Sequence, residues 1–156
     1  MPAHGAELIW TARDDEDFLA GRYSRRHEIR FDGGASLAGS SSPSVVRPPL
    51  SDPTAADPEE MFVASIASCH MLWFLDYARR AGVLVRAYRD APFGEMAKNA
   101  EGRTAVVAVT LRPHVDCDAD RARLEELHHK AHEACFIANS VTSDVRVEPV
   151  FEIART

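Results

Sequence analysis

Residues 57–75, DPEEMFVASIASCHMLWFL, constrain the fold more than any other part of the chain. Asp57 is a strong N-cap, and Pro58 suits the first helical position. Glu59 and Glu60 place negative charge against the positive end of the helix dipole. From Met61 to Leu75 there is no Asp, Glu, Lys or Arg, and apolar residues fall on every face. A helix of that kind is expected to be buried all round rather than laid on a surface. It is too short and too rich in Ser, Cys and His for a bilayer span, which takes about 20 apolar residues. A thiol, Cys69, stands in its middle.

The chain has 156 residues, enough for one domain, 1–156, with a real core. A net charge of −6 gives no general attraction to nucleic acid or to anionic membrane. The N-terminus lacks the charged-then-apolar pattern of a secretory signal, so a cytoplasmic protein is expected. Three cysteines, Cys69, Cys117 and Cys135, are too few for a disulfide scaffold. In a reducing compartment they read as catalytic, metal-binding or simply buried.

Taken in order, residues 7–12 around Trp10 are a short strand candidate, followed by an acidic patch at 14–17. Residues 23–31 read as a strand closed by Gly33-Gly34. Arg22, Arg25, Arg26, His27 and Arg30 make this stretch basic, which is ordinarily a solvated edge or loop. The Ser- and Pro-rich residues 35–57 read as a long irregular connection. Beyond the central helix, capped by Gly82, strands are expected at 83–91 and 103–115, with a turn at 99–102. Asp118 or Asp120 caps a second helix running to about Ala138, and residues 145–153 form a closing strand. Strand–strand–helix–strand–strand–helix–strand points to an α+β domain with antiparallel pairing.

Each helix carries one cysteine among small or apolar neighbours, Cys69 in the first and Cys135 in the second. If the helices pack, two thiols meet in a shielded pocket. A buried thiol left alone is inert, whereas a reactive one needs a cation or hydrogen-bond donor to favour its thiolate. The arginine run can supply that cation, with Glu59 as its carboxylate partner. Ten residues of helix, roughly 15 Å, separate Glu59 from Cys69. One arginine therefore does not serve both within one copy. Two copies with antiparallel central helices bring the Glu59 of one towards the Cys69 of the other, at a homodimer interface.

Asp57-Pro58-Glu59-Glu60 followed by Ala67-Ser68-Cys69, with Cys135-Phe136-Ile137-Ala138-Asn139-Ser140 downstream, resembles the OsmC/Ohr family of thiol peroxidases. The resemblance implies an OsmC-like α+β fold, with antiparallel sheets flanking two long central helices in an intertwined homodimer. It implies no cofactor, an organic hydroperoxide substrate and an external dithiol reductant. Cys69 matches the peroxidatic cysteine, Cys135 the resolving one, and Glu59 the glutamate that holds an arginine. Counting back from Asp32-Gly33 lands on Ser24 or Arg25. Arg25 is taken as the arginine, with Arg26 and Arg22 as close alternatives. His70 stands where Phe or a similar residue is common in the family, which marks a distinct branch.

In the implied mechanism Cys69 attacks the peroxide and Cys135 closes a disulfide with the resulting sulfenic acid. An apolar lining of Phe62, Met71, Phe74 and Phe136 would favour organic peroxides. Two other readings compete. His128, His129, His132 and Cys135 share the second helix with zinc-like spacing, and His70 can add a ligand. The same pocket can also serve a non-catalytic module that binds an apolar ligand. The plainest reading makes Cys69 and Cys135 small core residues. Cys117, between Asp116 and Asp118, sits among like charges that disfavour a thiolate and reads as incidental.

Overall fold

The computed structural model describes residues 2–151. The chain forms two compact units, residues 1–61 and 62–156. The first holds an antiparallel sheet of order β1-β2-β3, made of β1 (Ala6–Ile9), β2 (His27–Phe31) and β3 (Ser36–Gly39). β3 lies in the segment expected to be irregular throughout. It pairs with β2 across a tight turn in which Gly34 takes φ +90°, a left-handed conformation that only glycine adopts freely. β2 is also shorter than its sequence run, so Arg22, Arg25 and Arg26 precede the strand. Residues 40–57 do remain irregular. They are tied down where buried Ser40 donates its N–H to Ala56 O (3.0 Å) and accepts from Asp52 N on Oγ (3.0 Å).

α1 (Pro58–Arg80) starts where the sequence places it. Asp57 Oδ1 accepts from Glu60 N (2.7 Å) and Asp57 N donates to Glu60 Oε2 (3.1 Å), a reciprocal capping box. The helix ends at Gly82, φ +72°, with Val83 N donating to Ala78 O (2.9 Å). The expectation of all-round burial does not hold within one chain. Ile66, Ala67, His70, Phe74 and Ala78 form a buried stripe, while Ala64, Ser65, Ser68 and Leu72 are exposed. By length and apolar composition the helix would pass for a membrane span. Running on to Arg80, it is longer than the apolar run expected to be too short for a span, and its buried stripe packs into two side-chain clusters.

The second unit contains two sheets. β5 (Phe93–Lys98), β6 (Thr104–Leu111) and β8 (Asp144–Val147) form one, in that order, with β6 central. β5 is a strand the sequence reading missed, joined to β6 by the expected turn, in which Asn99 Oδ1 accepts from Glu101 N and Arg103 N. Gly94 on β5 lies under α1, and a Cβ there would sit 2.8 Å from Val63 Cγ2. β5 and β6 are antiparallel but β6 and β8 are parallel, which corrects the purely antiparallel expectation. The reason is the route between them, a crossover through a helix of the length a parallel pair requires. β8 ends at Val147, short of the expected run, whose last residues to Ile153 lie outside the described residues.

The other sheet pairs β4 (Val85–Arg89) with β7 (His114–Cys117). The run 103–115, expected as one strand, is therefore two strands in different sheets. Pro113 divides them, having no N–H to give a ladder. α2 (Arg121–Ala134) is capped by Asp120, which accepts from Arg123 N (2.9 Å), while Asp118 accepts from Leu84 N (2.9 Å). The helix stops at Ala134 rather than Ala138. Cys135 is its C-cap in extended geometry, and a 3₁₀ turn, Ala138–Ser140, follows. One cluster packs Phe74 and Ala78 on Leu124, Leu127 and Ala131; the other packs Ile66 and Ala67 on Val109 and Leu111.

Candidate functional site

Two thiols come together in the second unit. Cys69, at mid-α1, is half-buried, and Cys135, at the end of α2, is 1 % exposed; both are free. The Cys135 Sγ accepts from Ala138 N at 3.4 Å and directs its S–H towards Ile66 O, one turn before Cys69, at 3.9 Å. Burial pushes the Cys135 thiol up to about 11; the Ala138 N–H opposes the rise, and the adjacent Cys69 thiol adds to it. Cys135 is thus held as a neutral thiol, and Cys69 is the more accessible of the pair.

The residues after Cys135 build the turn that holds it. Asn139 N donates to Cys135 O (3.0 Å), its side-chain amide caps Glu133 O (3.0 Å), and Ser140 Oγ donates to Phe136 O (2.6 Å). Carbonyls freed at the end of α2 are satisfied this way. Phe136 remains 67 % exposed, edge-on to Trp73 at 5.3 Å. Phe74, expected in a pocket lining, is fully buried in the core instead and stacks on His128 at 4.2 Å. A side chain committed to core packing cannot line an open cavity.

The arginines and Glu59 belong to the first unit. Arg25 Nη1 donates to Gly21 O (2.9 Å) and Tyr23 O (2.5 Å), and its guanidinium lies 3.7 Å from the Tyr23 ring centroid. It borders a cavity of about 390 Å³ with Trp10, Phe18 and Tyr23, whose rings lie 4.7–5.6 Å apart. Arg26 pairs with Asp52 and Arg22 with Asp17 (2.5 Å). None of the three is joined to Glu59, which is half-buried and makes no ion pair among the described residues.

Histidines form a second buried group. His70 Nε2 lies 3.0 Å from His128 Nδ1, with the rings stacked 5.3 Å apart at 7°. His70 Nδ1, His128 Nε2 and His132 Nδ1 are buried without partners. Burial is the main cause that lowers His70 to about 3, with smaller contributions from His128 and His132, and it lowers His128 to about 4. Both rings are neutral at pH 7. His128, His129 and His132 border a cavity of about 360 Å³ with Glu125. Among the described residues, however, no three His, Cys, Asp or Glu side chains converge to hold a metal ion. Sequence reading picked out these histidines for their spacing but did not pair His70 with His128, because the pairing depends on how α1 meets α2. Cys117 lies in β7, half-buried, with its S–H towards Ala119 O at 3.9 Å.

An α+β chain with a half-buried thiol on its long helix and a second thiol beside it defines a class of thiol proteins. The family model for OsmC-like proteins matches residues 51–150, and the chain belongs to the OsmC family. It is similar to an OsmC-like protein of unknown function from Vibrio cholerae. The two share 45% identity and a TM-score of 0.92, over 96% of this chain and 100% of that one. At lower identity the fold is also that of an organic hydroperoxide resistance protein from Elizabethkingia anophelis, 15% identical with a TM-score of 0.71 over 96% of this chain and 94% of that one. OhrB, the organic hydroperoxide resistance protein of Bacillus subtilis, is 22% identical with a TM-score of 0.65 over 94% and 98%. No curated protein matches the sequence.

Proposed function

We propose that this chain reduces organic hydroperoxides through Cys69 and Cys135. The observation that carries the reading is the pairing of two free thiols, one accessible and one buried beside it. Membership of the OsmC family supports it, as do two neighbours in fold that are organic hydroperoxide resistance proteins. The Cys69 thiolate attacks the terminal oxygen of the hydroperoxide, the O–O bond breaks, and the organic oxygen leaves as an alcohol after taking a proton. Cys69 is left as a sulfenic acid. Cys135 sulfur attacks it, water departs, and a Cys69–Cys135 disulfide forms. An external dithiol then reduces that disulfide by exchange. A compartment that keeps thiols reduced, such as the cytoplasm, suits this cycle.

Arg25 is the cation proposed to favour the thiolate and the departing oxygen, with Glu59 holding it once a second copy is in place. The working unit is a homodimer in which the exposed Ala64, Ser65, Ser68 and Leu72 face of α1 is covered. No resident cofactor takes part. The test is mass analysis of the reduced protein after one equivalent of tert-butyl hydroperoxide, with peptide mapping. Rapid loss of two hydrogens and a linked Cys69–Cys135 peptide are expected. Two intact thiols after prolonged exposure would overturn the reading.

A further inference from the structure

The helices that present the two thiols meet mainly through Phe74, Ala78, Leu124, Leu127 and Ala131. Contacts of this kind are strong but non-directional, so they do not by themselves select one angle and register of α1 on α2 as a directional bond does. Among the described residues, the only hydrogen bond between an α1 side chain and an α2 side chain is His70–His128, at 3.0 Å. Its position bears on the chemistry. His70 is the neighbour of Cys69, and His128 stands two helical turns before Cys135. The stack of Phe74 on His128 holds that ring in place.

The pair is an expensive way to fill a core. Each ring keeps a buried nitrogen without a partner, and a buried donor or acceptor left unsatisfied is destabilising. Two leucines in its place would lose no hydrogen-bonding group, and replacing a buried polar pair by apolar residues is often neutral or stabilising. What leucines cannot supply is a fixed distance and direction. A disulfide demands such precision, since its Cβ atoms must come to about 3.5–4.5 Å.

We propose that the His70–His128 pair is a positioning clamp that sets α1 against α2 so that Cys69 and Cys135 can form a disulfide. It touches neither substrate nor the reacting sulfurs. The inference deepens the peroxidase reading, but its test does not depend on peroxide. With oxidised glutathione, Cys69 sulfur attacks and releases one glutathione; Cys135 sulfur attacks the mixed disulfide and releases the second. Two electrons pass to glutathione, and each departing thiolate takes up the proton that a cysteine gives. The equilibrium constant is the effective concentration of one thiol at the other.

The experiment compares wild type with His70→Leu/His128→Leu in glutathione redox buffers, quenched and read by mass analysis, beside a thermal melt. The double variant is expected to melt at or above the wild-type temperature while its effective concentration falls about ten-fold or more, as loss of orientation does. A purely structural role would move both readouts together. If the double variant does not fold, His128→Phe, which keeps a ring against Phe74 but removes the bond, is expected to show the same fall. An effective concentration within about two-fold of wild type in any folded variant overturns the clamp. Inertness of wild type towards peroxide, with the glutathione difference intact, would remove the peroxidase reading alone.

Discussion

His70 Nε2 and His128 Nδ1 lie 3.0 Å apart, both rings buried, so that one neutral imidazole donates to another. Protonating either ring would put a positive charge in a buried site that water cannot solvate. Burial holds His70 at about 3 and His128 at about 4, against an ordinary value near 6.5 in the unfolded chain. Below that value the unfolded chain binds protons that the folded chain refuses, so stability falls as pH drops from about 6.5 towards 4. At pH 5 the loss is expected to be about 2 kcal/mol per ring relative to pH 7. Urea unfolding across this range checks it, and His70→Leu/His128→Leu should flatten that part of the profile.

The two site thiols should differ sharply towards alkylation. Cys135 is buried and held up at about 11, whereas Cys69 is half-buried. Iodoacetamide acts on the thiolate, so at pH 8 Cys135 is expected to react at least about a hundred-fold more slowly than a free cysteine. Peptide mapping of a labelling time course measures this. After Cys69 is replaced by Ser, Cys135 should remain slow, because burial is the largest cause of its shift.

Gly94 is where β5 passes closest to α1. A methyl group there would lie 2.8 Å from Val63 Cγ2. Gly94→Ala is expected to cost about 1–3 kcal/mol, as overpacking does. Adding Val63→Ala should return part of that cost, and a double-mutant cycle by chemical denaturation should show coupling of the two sites.

The exposed side of α1 separates a monomer from a dimer. Leu72 is 61 % exposed and shares that side with Ala64, Ser65 and Ser68. In an isolated chain Leu72→Glu would cost within about 0.5 kcal/mol. In the proposed homodimer it buries a charge, so the variant is expected to run as a monomer by light scattering where wild type runs as a dimer. Two monomers would refute the homodimer.

Local chemistry made much of this legible in advance. Asp57 and Glu60 cap α1, Gly82 ends it, and Asn99 turns β5 into β6, all through interactions within a few residues. The cysteine-bearing motifs likewise carried the family by themselves. Other features were legible only in part. The run of apolar residues into Pro113 looks like one strand until it is known that its two ends join different sheets. Cys135 looks helical until Asn139 is seen closing the turn beyond it.

The sequence by itself determined the long apolar helix, its caps and the presence of one thiol within the first helical segment and another at the end of the second, because capping, turn chemistry and periodicity act over a few bonds. Tertiary structure alone decided that β8 runs parallel to β6, that Cys135 is buried beside Cys69, and that His70 meets His128 across 58 residues of chain. Those pairings depend on burial and on the register of packed elements. Both are properties of the assembled core, and no stretch of residues carries them before that core forms.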